Sequence, residues 1–207
     1  MKNKIIHGMV ALFATYSMTG CTAINLGTTF MGFSDDTQKA YAGMMDTVSE
    51  TGDPAQAMMK EWIVIDKDLK EEEIFEEMKS LAGDYNMRYV GEKNMFRIKD
   101  AKADEVAHAR IAEFCSLSIA KKMLNHSRYY GGFMPCRIIY VEYGDGRRYL
   151  ITMDMTLAIY GGTDKKPIAP ALMEDMKNVK IAMEQIPLEA IGYENQEEYD
   201  KKLATIN

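Results

Sequence analysis

Apolar positions along the chain recur in two different periods, and the switches between them mark out the elements. Residues 5–16 form a largely apolar stretch of about a dozen residues, too short to cross a bilayer as a helix. Past Ser34, the residues Ala40, Tyr41, Met44, Met45 and Val48 recur at helical spacing, and Gly52 with Asp53-Pro54 supplies a stop. This pattern predicts a first helix that packs against the main body. Residues 62–65 read as a short apolar strand. Asp68 then opens a helix in which Ile74, Phe75, Met78, Leu81 and Ala82 form a stripe opposite Glu71, Glu72, Glu73, Glu76 and Glu77, and Gly83 ends it. Residues 87–90 and 111–114 are predicted strands. A short helix starting at Ser116 or Ser118 follows, with Ile119, Ala120, Met123 and Leu124 inward. Two β-rich runs, 137–143 and 148–153, are joined through Gly144-Asp145-Gly146 and predict a hairpin. Pro170 begins a last helix carrying Leu172, Met176, Val179, Met183 and Ile186 on one face, with Pro187 expected to close it.

Strands that alternate with helices but finish in a direct hairpin argue for an α+β fold: two layers, a mixed or antiparallel sheet with helices packed on one face. A doubly wound nucleotide fold would need a Gly-rich turn between its first strand and helix, and Asp66-Lys67-Asp68-Leu69 has no glycine. The expected organisation is a leader over 1–20, a tether over 21–33, a helical extension over 34–60, the α+β body over 61–190 and a polar tail over 191–207.

The leader carries chemistry of its own. Lys2 and Lys4 precede the apolar stretch, which ends in Ser17-Met18-Thr19-Gly20-Cys21, and this resembles the lipobox of bacterial lipoproteins. The resemblance implies cleavage before Cys21, acylation of its thiol and new amino terminus, and a periplasm-facing protein of the cell envelope that is anchored to the membrane without spanning it. Thr22 stands where an aspartate would favour the inner membrane, so the outer membrane is expected. Cleavage would leave 187 residues of 207 and, by removing Lys2 and Lys4, take the net charge from −6 to −8. The 47% hydrophobic content suffices for a core, and three cysteines are too few for a disulfide-built scaffold. With a pI near 5.2 the chain has no general attraction for a phosphate backbone, and no nucleic-acid partner is expected.

Five short segments carry a family resemblance. Phe114-Cys115-Ser116-Leu117 is followed by an apolar helix over 120–124, then by Phe133-Met134-Pro135-Cys136-Arg137 running into the predicted hairpin, and later by Met153-Asp154-Met155 and Tyr160-Gly161-Gly162. Over roughly residues 60–160 this resembles the domain of unknown function 302 family, especially its exported, membrane-anchored members in sulfur-oxidising bacteria. The resemblance implies a small two-layer α/β domain, often dimeric, with no established activity.

Cys115 and Cys136 are the sharpest candidate pair. They could form a structural disulfide, lie as two separate buried thiols, or include a redox-active or sulfur-carrying thiol. Cys115, just ahead of a helix start, is the better placed for a thiolate. Thioethers select Cu(I), so Met153 and Met155 are a copper alternative, although several of the 15 methionines after the leader sit at core positions. His108 and His126 lack a second ligand at i+4 spacing and read as surface residues; the acidic run at 71–77 reads as a solvated helix face. No nucleophile elbow, phosphate loop or paired catalytic carboxylates can be placed, and no cofactor is implied. The expected function is that of a lipid-anchored display domain that binds a partner or assembles as a homodimer. The alternative is a thiol-dependent accessory in periplasmic sulfur or redox metabolism.

Overall fold

The computed structural model describes residues 27–206, so the leader and Cys21 lie outside the described residues. In chain order the elements are α1 (Asp35–Thr51), β1 (Met59–Ile63), α2 (Glu71–Asp84), β2 (Arg88–Arg97), β3 (Val106–Cys115), α3 (Leu117–His126), β4 (Cys136–Tyr143), β5 (Arg148–Met153), α4 (Thr156–Tyr160), α5 (Pro170–Ala190) and α6 (Gln196–Leu203). Five strands form one open antiparallel sheet in the order β1-β5-β4-β3-β2, the α+β arrangement that the pattern predicts. Strand alternation sends Trp62, Ala112, Phe114, Ile138, Tyr140 and Leu150 to one face, all buried. Onto that face α2 brings Ile74, Phe75 and Met78, and α5 brings Met176, Met183 and Ile186. The opposite face carries Ile111, Ile139, Val141 and Ile151, each half-buried.

The register defines two ends of the sheet. At one, β3 and β5 begin and β2 and β4 end, which gathers Arg97, His108, Glu142 and Arg148; at the other lie Met59, Arg88, Cys115, Cys136 and Met153. Both glycines of the hairpin turn are required. Gly146 has φ +84°, and a Cβ on Gly144 would meet the Lys102 carbonyl oxygen at 2.2 Å, because the β2–β3 connection folds over the turn. The first helix forms as expected, with Ser34 accepting from the Thr37 amide and Gly52 left-handed at its end. It docks through Thr37, whose hydroxyl reaches the carbonyl oxygens of Tyr160 and Gly162 at 2.7 and 3.0 Å, while Tyr41 donates to Gly161.

Several expectations are corrected. The helix expected to open at Asp68 starts at Glu71, where the Lys70 amide donates to Glu73. Pro187 lies inside α5 and does not end it, since Leu188, Ala190 and Ile191 beyond it are all buried and hold the last turn on the core. Leu124 is exposed; Ile119 and Met123 alone anchor α3. Residues 191–207 are more than a polar tail: α6 buries Tyr199, whose hydroxyl accepts from the Ile63 amide, and Gln196 accepts from the Trp62 indole.

The largest departure is electrostatic. Glu71 and His108, expected at the surface, are buried together. The Glu71 carboxylate accepts from His108 Nε2 (2.9 Å) and Arg110 Nη1 (3.0 Å) on one oxygen and from Arg97 Nη2 (2.8 Å) on the other. His108 Nδ1 lies 2.7 Å from the Phe96 carbonyl oxygen. Both ring nitrogens are thus held by oxygen atoms of the fold. The Arg110 guanidinium also stacks on Phe75 at 3.9 Å and bonds Glu92 at 3.0 Å. Burial alone would push the Glu71 carboxyl up, but the hydrogen bonds from His108, Arg110 and Arg97 outweigh it and hold the group below its ordinary range. A lowered folded pKa stabilises fully above the unfolded value of 4.5 and is lost as pH falls through the folded one. Glu71→Gln is therefore expected to lose about 3 kcal/mol at neutral pH, the scale for breaking a buried ionic set. Its urea-unfolding stability should fall less steeply than wild type on acidification below 4.5; parallel acid-side slopes would count against this assignment.

Candidate functional site

At the opposite end of the sheet the side chains are of another kind. Cys136, the first residue of β4, follows a cis Met134–Pro135 bond, and beside it opens a cavity of about 230 Å³. The strands supply Met59, Ile139, Ile151 and Met153 to its wall. Phe133 enters from the 3-10 turn Arg128–Phe133, Met155 and Ala158 from around α4, and Met183 from α5. The walls are apolar and rich in sulfur. Of the polar lining residues, Thr152 is engaged, its hydroxyl donating to the Arg137 carbonyl at 2.8 Å.

The structure therefore brings three candidates from the sequence together: Cys136, Met153 and Met155 line one cavity. Met155 is buried and Met153 half-buried. Cys115 is near but not in register with Cys136, which pairs with Phe114 while Cys115 pairs with Arg88. Both thiols are free. Burial pushes the Cys115 thiol up, although it lies one residue before Ser116 at the N-cap of α3. Cys136 is pushed up to about 11, by burial first and by Cys115 second, with Arg137 working the other way. His126 is half-buried, its ring 6.1 Å from that of Tyr130, and is not among the residues that line the cavity. No group of three or more His, Cys, Asp or Glu side chains suited to a metal ion exists among the described residues, and no helix among them is long and apolar enough to cross a membrane.

Chemically, such a site can take up an apolar group and can hold a neutral thiol against it. Its lining holds no carboxylate or imidazole that could act as a general base; Glu71 and His108 lie at the far end of the sheet, bonded to one another. The sequence pattern missed the cavity as a whole, because its methionines come from three stretches far apart in the chain. With a pKa near 11, native Cys136 should alkylate with iodoacetamide negligibly at neutral pH and increasingly as pH approaches that value, while both cysteines react at once after unfolding. Peptide mass analysis reads the difference; rapid neutral-pH labelling of Cys136 in the folded protein would contradict it.

Comparison with known proteins places this geometry in a family. The family model described as "Domain of unknown function DUF302" matches residues 65–186. A solved structure, an uncharacterized conserved DUF302 protein from Bacillus stearothermophilus, is similar at 13% identity and a TM-score of 0.46, covering 65% of this chain and 98% of that one. No curated protein matches the chain. Since the matched span takes in α2 through most of α5 and more than half of the residues, the chain belongs to the DUF302 family.

Proposed function

We propose that the protein is a lipid-anchored component of the bacterial cell envelope whose DUF302 domain is a non-catalytic binding module, with the cavity beside Cys136 as its binding site. The observation that carries this reading is the cavity itself: about 230 Å³, apolar, lined by thioethers and aliphatic groups, with a neutral thiol in its wall. The lipobox-like Ser17–Cys21 segment supports the anchor, and Thr22 supports the outer membrane over the inner. The apolar outer sheet face away from the cavity, around Ile111 and Val141, supports self-association. The thiol-dependent role in sulfur or redox metabolism is the weaker reading, because an activated cysteine needs a lowered pKa and both thiols here are raised.

Two measurements test this. A neutral apolar dye such as Nile red should bind the protein saturably, and Ala158→Phe, which fills the cavity, should abolish binding while circular dichroism stays native; unchanged binding in that variant would remove the cavity from the function. For the anchor, metabolic palmitate labelling should disappear in Cys21→Ala, and labelling that persists would defeat the lipoprotein assignment.

A further inference from the structure

We propose that the ligand of this cavity is an amphipathic monocarboxylate, its short unbranched acyl tail inside the apolar walls and its carboxylate on the guanidinium of Arg137. This rests on the reading of the cavity as a binding site and names what it binds. The polar inventory decides it. Thr152 is spent on the Arg137 carbonyl. Cys136 is a neutral thiol at neutral pH, because burial raises it. That leaves Arg137, exposed at the cavity, whose guanidinium has no hydrogen-bond or ion-pair partner among the described residues. Its cross-strand register partner is Glu113, but no ion pair joins them. The Glu113 carboxylate instead fills the space over Gly91, 2.9 Å from where a Cβ there would sit.

An apolar chamber with one unspent cation beside it matches a molecule with one apolar end and one anionic end, and a guanidinium offers the paired N–H geometry that a carboxylate takes up. A soft cation is the competing occupant, given Met59, Met153, Met155 and Met183. It would sit beside the charge of Arg137, however, with no carboxylate or imidazole in the lining to offset it. Size sets the tail. Taking about 30 Å³ for a water-sized group, the volume holds about seven or eight such groups, which points to a tail of hexanoate to octanoate length.

The test is calorimetric titration of the full chain carrying Cys21→Ala, so that no acyl chain of its own competes. Affinity should rise about fourfold per added methylene from butanoate to octanoate. Arg137→Gln should weaken octanoate about tenfold or more, leave octan-1-ol unchanged and keep the native circular dichroism. Octylammonium should bind more weakly than octan-1-ol. If octan-1-ol binds as tightly as octanoate and Arg137→Gln changes neither, the carboxylate assignment is overturned while the cavity keeps its role. If octanoate, octan-1-ol and Nile red all fail to bind, the cavity reading falls too. Binding of Cu(I) in competition with bicinchoninate, without binding of octanoate, overturns the proposal in favour of the soft cation.

Discussion

A carboxylate placed between a helix layer and a sheet loses its water, and it stays there only if donors from the fold replace that water. Glu71 meets this demand with three side-chain partners from two strands: Arg97 on β2, His108 and Arg110 on β3. The consequence is positional. The first turn of α2 is fixed over the start of β3, and the rest of the helix then has one register on the sheet, with Phe75 beneath the Arg110 guanidinium and edge-on to Tyr140. Its acidic first turn also suits the positive end of the helix dipole. The arrangement has a cost, since Arg110 Nε is buried without a partner. A purely apolar contact would bury as well but could slide by a turn; three directional bonds to one carboxylate cannot.

The opposite end of the sheet follows a different rule. There the interior is closed by short pieces: a 3-10 turn, the five-residue α4 and the middle of α5. Methionine fills irregular space loosely, and four of them converge beside Ile139 and Ile151 on a place that the packing leaves open. One of them, Met59, comes from β1, outside the span matched by the family model, as do α1 and α6. The additions are tied in by specific bonds to the family domain. Thr37 and Tyr41 of α1 hold the carbonyls of Tyr160-Gly161-Gly162, and a Cβ on Gly161 would lie 2.5 Å from the Leu157 carbonyl oxygen.

Much of this was legible in the sequence. The periods gave the hairpin, α1 with both caps, the apolar stripes of α2 and α5, and the layer order. The Glu71 cluster was readable but misread. Glu71 stands three and four residues before Ile74 and Phe75, on the apolar stripe, and Arg110 and His108 continue backward the same alternation that puts Phe114 and Ala112 inside. A charged residue on a core-facing period signals a buried partner; the count of acids in the helix had suggested water instead. The burial of α6 had no such signal, because its hold on β1 consists of two side-chain bonds, Gln196 to Trp62 and Tyr199 to Ile63, which no periodicity encodes. The cavity was illegible for a similar reason, since it is a packing defect between elements far apart in the chain.

The two ends of the sheet bear on function in opposite ways. At the Glu71 end the ionisable groups are many, but their donors and acceptors are committed to one another, and a group that has spent its hydrogen bonds on the fold cannot shuttle a proton to a substrate without undoing that fold. At the Cys136 end the ionisable groups are few and the walls apolar, and Arg137 is left unspent. Charge density therefore marks where this domain is held together, and charge scarcity marks where its packing leaves an apolar cavity. A search among clustered titratable residues leads to the Glu71 end, where those groups are bonded to one another.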